Sequence, residues 1–515
     1  MSVDEIKNLS FFFSTVAEPP DLTADLIAAG MYFVPTPSPS DKKAGLPSPR
    51  SFPSSNSPSA PSPSAPSTSK PTPFNAVLNL IDWKNPLNSI EKILTEHEGY
   101  WLVASVLILL ESLLVSAVIL KVPYTEIDFR TYLQQATTFL SGERDYSLIK
   151  GETGPCVYPA GHLYAYSFLH YFTNAGQSLK RAQWLFGAIY VATLALVFSI
   201  YSTSKRIPPY ALIFLTLSKR IHSLYVLRLF NDCLAMFFLY AALWFYLDNE
   251  ETRSNSKKRA SRWLIGTCLF SLALSIKMSI LLFLPALLYL LFVYHSPIVL
   301  LQHVILLLTT QVLLASPFLT SLPLAKSYLT GAFDFNREFL WEWTVNWRWL
   351  GVEVFEDRAW GQVLLMAHVA GLGAMAIKWC SDEGGAPLVL KRAIKRPSAS
   401  PALHVLTNTR MISIFFTSNL LGILCARSLH YQFYVWFYHS LIWLLWETWD
   451  GLGIEVMQKL VFFSLIEFGF FAFPSTVNSS LGLVLSLLII LGVGWYGRPA
   501  GDTGNAIGSE ERKTN

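Results

Sequence analysis

The fold of this chain is set by an apolar run that reads Trp101-Leu-Val-Ala-Ser-Val-Leu-Ile-Leu-Leu-Glu-Ser-Leu-Leu-Val-Ser-Ala-Val-Ile-Leu120. As an α-helix, a run of this length spans about 30 Å, the thickness of the hydrocarbon core of a bilayer. The residues that follow directly read Lys121-Val-Pro-Tyr-Thr-Glu126-Ile-Asp128. We therefore predict a membrane-spanning helix that delivers two carboxylates to one membrane face.

Further apolar runs of comparable length follow along the chain. They cover residues 183–201, 208–227, 230–248, 263–276, 279–294, 298–318, 360–378, 404–425, 432–448, 457–474 and 478–496. The stretch 160–173 is short for a span and has polar interruptions. We predict an all-α polytopic membrane protein with about twelve transmembrane helices. Either 160–173 does not cross fully, or 208–227 is re-entrant, with Lys219, Arg220 and His222 lining a cavity.

The composition of the whole chain agrees with a membrane protein. Of its 515 residues, 52% are hydrophobic and 14% are charged, whereas an average soluble chain carries about 25% charged residues. The mean hydropathy is +0.38. These values exclude a soluble Rossmann enzyme, a disulfide scaffold, a β-barrel porin and a nucleic-acid-binding protein. The five cysteines form no CxxC pair, and we expect buried free thiols, with a lumenal disulfide as the alternative.

The polar residues are concentrated near the two ends of the chain. Residues 1–80 contain a Pro/Ser-rich tract, which cannot bury enough apolar area to offset its conformational entropy. We predict a disordered cytoplasmic N-terminus over 1–80, a membrane-embedded domain over 98–496 and a cytoplasmic tail over 497–515. The tail carries Arg512-Lys513, a dibasic pair that resembles an endoplasmic-reticulum retrieval signal.

The Lys and Arg residues orient the predicted spans. The segments 249–262 and 391–396 are strongly basic, and short basic loops are cytoplasmic. Counting spans outward from them places 121–158, 319–359 and 427–432 together on the opposite face. Both termini are then cytoplasmic, which requires an even number of spans.

The loop after the first span carries the strongest candidates for chemistry. Glu126 and Asp128 are two residues apart, so their side chains face one way if the segment is extended. Carboxylates beside an apolar bundle are candidates for function. They are suited to act as a general base or to bind a metal through oxygen. The structural alternative is a solvated loop whose acids cap a helix.

Two further segments on the same predicted face contain polar and aromatic residues. The first includes Trp343, Asn346 and Arg348, which suit either an interfacial aromatic belt or contacts with a sugar. The second includes Arg427 and His430, a cation pair that suits phosphate binding.

Arg228 and Lys277 lie in or beside apolar runs. An ionisable group there normally has a partner or a ligand, and a structural salt bridge is the alternative for each. The residues alone therefore fit an enzyme that uses a phosphorylated lipid, and they also fit a transporter.

Several longer motifs resemble one enzyme family. They are Tyr124-Thr-Glu-Ile-Asp128, Gly151-Glu-Thr-Gly-Pro155, Val157-Tyr-Pro-Ala-Gly161, Arg220-Ile-His222, Leu227-Arg-Leu-Phe-Asn-Asp232, Trp343-Thr-Val-Asn-Trp-Arg348 and Ser428-Leu-His-Tyr-Gln-Phe-Tyr-Val-Trp436. Their order and content resemble the dolichyl-phosphate-mannose-dependent α-1,3-mannosyltransferases of asparagine-linked glycosylation, over residues 98 to about 450. The sibling enzymes of glycosylphosphatidylinositol anchors share the acidic loop but are expected to lack the last two motifs, and a transporter is expected to show repeat symmetry.

The resemblance implies a GT-C type glycosyltransferase of the endoplasmic reticulum membrane, with its active site in lumenal loops. The donor would be dolichyl phosphate β-D-mannose and the acceptor Man(5)GlcNAc(2)-PP-dolichol; no nucleic-acid partner is expected. A β-linked donor and an α-linked product imply inversion, for which a single displacement needs a base on the acceptor hydroxyl. Asp128 is the expected base, with Glu126 orienting it or binding the acceptor. No metal cofactor is expected, although the Glu-x-Asp pair resembles a Mn²⁺ or Mg²⁺ site.

The remaining expected roles concern the two substrates. The phosphate of the donor would be bound by four cationic side chains, namely Arg427, His430, Arg228 and Lys277. The acceptor glycan would be contacted by Trp343, Asn346, Arg348 and Tyr158.

Overall fold

The structure is a computed structural model that describes residues 80–82, 84–334, 339–449 and 452–496. The predicted cytoplasmic N-terminus over 1–80, apart from Leu80, and the predicted tail over 497–515 lie outside these residues. Within them the regular structure is helical except for one hairpin, in which β1 (Lys150–Gly151) pairs antiparallel with β2 (Gly154–Pro155).

The α-helices of the described residues are numbered here in chain order. They are α1 (Pro86–Thr95), α2 (Tyr100–Lys121), α3 (Phe129–Leu140), α4 (Ala160–Phe172), α5 (Leu179–Tyr201), α6 (Lys219–His222), α7 (Asn231–Tyr246), α8 (Glu250–Ser254), α9 (Ser256–Ile276), α10 (Leu284–Leu290), α11 (Pro297–Ala315), α12 (Leu322–Ala332), α13 (Val352–Glu356), α14 (Arg358–Ser381), α15 (Ala386–Lys395), α16 (Asn408–Leu424), α17 (Tyr438–Glu447), α18 (Val456–Phe471) and α19 (Val477–Tyr496). The longer 3₁₀ segments are Pro209–Leu215, Met278–Phe283 and Tyr431–Trp436, and the π-helical segments are Ser223–Leu227 and Leu291–His295.

Six helical segments of the described chain are long and apolar enough to cross a bilayer. They are His97–Lys121, Leu179–Tyr201, Met278–His295, Pro297–Phe318, Arg358–Ser381 and Val477–Tyr496. A multi-pass, all-α membrane protein is thereby confirmed, but the predicted number of about twelve spans is not. Several predicted spans are too short or too charged: α16, α17 and α18 have at most 17 residues, and α9 begins with a cluster of Lys and Arg.

The predicted span 208–227 is broken. A 3₁₀ segment, the short α6 and the π-helical segment replace a continuous helix, and Lys219–Leu227 meets α7 at 107°. At the bend Leu229 adopts a left-handed conformation (φ 52°), and its carbonyl accepts a hydrogen bond from the Tyr166 hydroxyl at 3.0 Å. This geometry is that of a broken span or a re-entrant loop, one of the two predicted ways to resolve the span count.

Hydrogen bonds bring together the segments that the charge bias placed on one face. The amide of Ser147 donates to the hydroxyl of Ser327 at 3.1 Å, and the amide of Val345 donates to the carbonyl of Leu429 at 2.8 Å. The amide of Thr125 also donates to the carbonyl of Leu227, directly before Arg228, at 3.0 Å. Directly after the basic segment 391–396, the Pro397 carbonyl accepts from the backbone N–H of Ile298, near the start of α11, at 3.1 Å. The polar segments predicted to carry function therefore meet at one end of the helices.

All five cysteines lie in the described residues and are free. Cys156, Cys233 and Cys380 are buried, as expected, whereas Cys425 is half-buried and Cys268 is exposed. Cys268 departs from the expectation because it lies on the outer face of α9.

Candidate active site

The acidic segment connects the end of α2 to the start of α3, and its first carboxylate works as a helix cap. One oxygen of Glu126, Oε1, accepts from the backbone N–H of Arg130 in the first turn of α3 at 3.0 Å. The other, Oε2, accepts from the Tyr124 hydroxyl at 2.8 Å. A carboxylate is favourable at the positive end of a helix dipole. Glu126 thus organises the segment while remaining exposed.

Asp128 occupies the N-cap position of α3, but its side chain does not cap the helix. Its Oδ1 accepts from the Thr153 hydroxyl at 2.9 Å, and its Oδ2 lies 3.4 Å from the Tyr132 hydroxyl. An ionised carboxylate has about four acceptor positions. Since the contacts with Thr153 and Tyr132 use two of them, the half-buried Asp128 retains capacity to accept a proton from a further hydroxyl.

The hairpin brings Thr153 to Asp128. Residues 152 and 153 form a two-residue loop between β1 and β2, and the backbone N–H of Thr153 donates to the Thr131 hydroxyl at 2.9 Å. A Cβ added at Gly151 would lie 2.8 Å from the Cα of Thr131. Glycine is therefore needed where the hairpin packs on α3.

Two tyrosines connect Asp128 to Lys277. The hydroxyls of Tyr132 and Tyr158 are 3.4 Å apart, and Nζ of Lys277 lies 4.9 Å from the centre of the Tyr158 ring. Burial raises the pKa of Tyr132 well above its ordinary value, and the nearby Tyr158 and Asp128 raise it further. Tyr132 therefore stays protonated and donates to the carboxylate.

Lys277 itself is part of a closed ion pair. Its ammonium donates to Asp232 Oδ2 at 2.8 Å and to Asn231 Oδ1 at 3.0 Å. The second oxygen of Asp232 accepts from Trp436 Nε1 at 2.5 Å. Lys277 and Asp232 are both buried. The structural salt bridge left open by the sequence is thus present, and it neutralises the charge of Lys277.

The positive charge of Arg228 has different surroundings from that of Lys277. Arg228 is half-buried, directly after the carbonyl of Leu227 that receives the Thr125 amide, and its Nη1 donates to the Ser223 hydroxyl. Within the described residues no carboxylate forms an ion pair with it. Arg228 therefore brings net positive charge next to the acidic segment.

Asn346 joins the two other predicted segments. Its amide group donates to the Ala426 carbonyl at 2.9 Å, and its carbonyl oxygen accepts from the Leu429 amide at 2.9 Å. Trp347 Nε1 donates to the same Ala426 carbonyl at 2.8 Å. Asn346 is buried, so it holds the segment before His430 in place. Its expected contact with the acceptor stays a prediction.

The other residues predicted for function in the segment of Asn346 have mixed surroundings. Trp343 is 43% exposed and stacks on Phe473. Arg348 lies over the Trp341 ring at 4.7 Å and donates to backbone carbonyls. Trp343 remains accessible to a ligand, whereas Arg348 is largely used within its own segment.

Arg427 and His430 lie in the segment that Asn346 holds in place. The guanidinium of Arg427 packs against Gly361 of α14. The ring of His430 stacks on Phe433, with ring centres 5.0 Å apart, and Phe433 lies 5.7 Å from Nζ of Lys277. Phe433 thereby connects His430 to Lys277, which the two tyrosines connect to Asp128. Their roles in phosphate binding stay predictions.

Some residues of the site were not predicted. Tyr132 follows Asp128 by four residues, a spacing at which helix side chains meet, and this signal was available. Residue spacing did not predict the contact of Thr153 with Asp128, because the two residues are distant in sequence and the hairpin brings them together. Glu111, inside the first span, accepts from the Tyr190 hydroxyl at 2.7 Å and lies 2.6 Å from Nε2 of His222.

Glu126 and Asp128 were also considered as ligands of a metal ion. Among the residues that it describes, no group of three or more His, Cys, Asp or Glu side chains is arranged to hold a metal ion. Both oxygens of Glu126 already accept hydrogen bonds from the protein. The pair Glu126 and Asp128 therefore lacks a third protein ligand of these types.

Together, the helices and the site define a polytopic, all-α membrane protein with a carboxylate held beside cations at one end of its helices. Comparison of the sequence with protein families then identifies the group: the chain belongs to the ALG3 protein family, whose model matches residues 105–480.

Curated relatives agree with this assignment. The "Probable Dol-P-Man:Man(5)GlcNAc(2)-PP-Dol alpha-1,3-mannosyltransferase" of Dictyostelium discoideum is 37% identical over 450 residues, 81% of this chain and 96% of the relative. The Dol-P-Man:Man(5)GlcNAc(2)-PP-Dol alpha-1,3-mannosyltransferase of Mus musculus is 40% identical, over 78% of this chain and 87% of the relative. The enzyme of the same name from Homo sapiens is 39% identical, over 79% and 89%.

Among solved structures, the crystal structure of ArnT from Cupriavidus metallidurans bound to undecaprenyl phosphate aligns with a TM-score of 0.39 and 15% sequence identity. The alignment covers 76% of this chain and 78% of that one. The fold class stated above therefore comes from the helices of this chain alone.

Proposed function

We propose that this chain transfers mannose from dolichyl phosphate mannose to Man(5)GlcNAc(2)-PP-dolichol in α-1,3 linkage. Membership of the family and the names of its relatives support this proposal. The observation that carries the chemistry is the half-buried Asp128, which keeps acceptor capacity. Its segment is bonded through Thr125 to the carbonyl of Leu227, directly before Arg228, with which no carboxylate of the described residues forms an ion pair.

The reaction is a single displacement at the anomeric carbon of the donor. A hydroxyl oxygen of the acceptor forms the new bond to that carbon while the bond from the carbon to the phosphate oxygen breaks. The carboxylate of Asp128 takes the hydroxyl proton, as an inverting mechanism requires. Glu126 holds the segment in place, because its oxygens accept from Tyr124 and Arg130.

The leaving group is dolichyl phosphate, which departs with two negative charges. A cation placed where this charge develops stabilises the transition state. Arg228 is the best placed of the predicted cations, since Lys277 is paired with Asp232. A metal is not needed in this scheme, because cationic side chains and a phosphate leaving group suffice.

We further propose that the acidic segment faces the lumen of the endoplasmic reticulum and that both termini are cytoplasmic. The basic segments 249–262 and 391–396 support this orientation. The dibasic pair Arg512-Lys513 is in accord with retention in that compartment.

The test is a transfer assay with purified protein, dolichyl phosphate mannose and a synthetic five-mannose lipid-linked acceptor. We expect Asp128→Asn to lower kcat by roughly 10²–10⁴-fold, the contribution typical of general base catalysis, without a change in the unfolding midpoint. Glu126→Gln is expected to lower activity less. Glu152→Gln is the matched control, since Glu152 is an exposed carboxylate in the hairpin loop next to Thr153.

EDTA in a parallel reaction tests the metal. Unchanged turnover supports the metal-free scheme, whereas loss that is restored by Mn²⁺ or Mg²⁺ contradicts it. Full turnover by Asp128→Asn would place the base elsewhere.

A further inference from the structure

A small cavity lies beside the broken helix, and its lining includes none of the residues to which a catalytic role has been given. Its volume is about 190 Å³, and it is lined by Leu217, Lys219, Arg220, Glu467 and Phe471. This is well above the roughly 10–15 Å³ that one water molecule needs. The cavity therefore has room for a polar group as large as a phosphate.

The lining of the cavity carries a surplus of positive charge. Lys219 and Arg220 contribute two cations against the single carboxylate of Glu467. Arg220 is half-buried, and its Nε is a buried donor that makes no hydrogen bond within the described residues. A buried donor without a partner is costly. Arg220 is thus a donor that an anionic ligand would satisfy.

Two apolar side chains of the lining are exposed beside these cations. Leu217 is 58% exposed and Phe471 is 69% exposed, and Phe471 is the last residue of the apolar α18. Cations next to exposed apolar side chains match a phosphate that is attached to a polyprenyl chain, and match a free anion less well.

The cavity is also connected to the candidate active site. The guanidinium of Arg220 lies over the ring of Tyr431 at 4.8 Å, and the hydroxyl of Tyr431 donates to the Ala472 carbonyl at 2.7 Å. Tyr431 directly follows His430. On the other side, Arg220 precedes Arg228 on the same broken helix. The cavity is therefore built from the segments that meet at the acidic loop.

We propose that Lys219 and Arg220 bind the phosphate group of a dolichyl-linked substrate and that Glu467 weakens this binding so that the lipid is released. This inference rests on the proposed function for the identity of the lipid. Oε1 of Glu467 accepts from the Tyr434 hydroxyl at 2.9 Å, so the carboxylate is held in the cavity. It repels a phosphate that enters, which limits the affinity for the product of each turnover.

The test measures binding of dolichyl phosphate to the full chain in lipid nanodiscs, with dolichol and inorganic phosphate as comparison ligands. We expect Arg220→Gln to weaken dolichyl phosphate binding by about tenfold or more, since hydrogen bonds to charged groups are lost. Lys219→Gln, at an exposed position, is expected to weaken it by a few-fold. Glu467→Gln is expected to tighten it, and product inhibition should rise with it.

Controls separate binding from folding. Lys326→Gln, on α12 outside the cavity, should leave binding unchanged, and no variant should change binding of dolichol. Arg220→Lys should recover part of the affinity. A merely structural role would make the variants of Arg220 and Glu467 change binding in the same direction.

Kinetics assign the phosphate to one substrate. A rise of KM for dolichyl phosphate mannose alone in Lys219→Gln indicates the donor, and a rise for the five-mannose acceptor alone indicates its diphosphate. Unchanged dolichyl phosphate binding in both Lys219→Gln and Arg220→Gln would overturn the inference, as would inorganic phosphate that binds as tightly as the lipid. Failure of mannose transfer by wild-type protein would instead overturn the proposed function, because the binding measurement does not depend on turnover.

Discussion

Lys277 and Arg228 are both cations near the candidate base, and they differ in how their charge is balanced. Lys277 is buried and forms an ion pair at 2.8 Å with Asp232, whereas Arg228 is half-buried and donates to the hydroxyl of Ser223. A buried pair mainly compensates its own desolvation. A cation that contacts only neutral groups keeps its charge for an anionic ligand. We therefore predict that Lys277 serves the structure and that Arg228 serves the substrate.

The largest effect is expected where the closed pair is broken. Asp232→Asn leaves the ammonium of Lys277 buried without a counter-charge, which costs about 3–5 kcal/mol in comparable buried pairs. We expect a marked fall in the unfolding midpoint in detergent micelles. The double variant Asp232→Asn/Lys277→Met removes both charges and should recover most of the stability. If Asp232→Asn unfolds like wild type, Lys277 is not held as a structural pair.

A smaller effect, on turnover, is expected at the unbalanced cation. Arg228→Gln should lower kcat/KM by about 10²–10³-fold, the usual loss when one donor to developing negative charge is removed. The unfolding midpoint should stay near that of wild type, and Arg228→Lys should recover part of the activity. The comparison fails if Arg228→Gln destabilises the protein while each folded molecule keeps full turnover.

The difference between Lys277 and Arg228 could be predicted from the sequence only in part. Apolar length and the acidic residues after the first span predicted the all-α membrane fold and the position of Asp128. Arg228 and Lys277 look alike in the sequence, because each is a single cation in an apolar run. Their difference depends on Asp232 being brought to Lys277 from another helix. Residue spacing along the chain does not contain that information.

The number of spans shows the same limit. Hydropathy treats 208–227 as one apolar run, but this run is divided into short helical segments, and its last part, Lys219–Leu227, meets α7 at 107°. The polar residues from Ser218 to His222 are the sequence signal of the break. His222 lies 2.6 Å from the buried Glu111 of α2, so a contact between distant segments holds the broken helix and its cations in place.

The smallest effect is expected at Asn346, a neutral side chain. Like Lys277, it has its hydrogen-bond partners within the protein. Asn346→Ala leaves the Ala426 carbonyl and the Leu429 amide with fewer partners, at a cost of about 1–3 kcal/mol. We expect a modest fall in the unfolding midpoint, with KM for the five-mannose acceptor unchanged in the folded fraction. A raised acceptor KM at unchanged stability would instead show that Asn346 contacts the glycan, as the family resemblance implies. The segment that contains Trp343 and Asn346 would then be part of the acceptor site rather than a support for it.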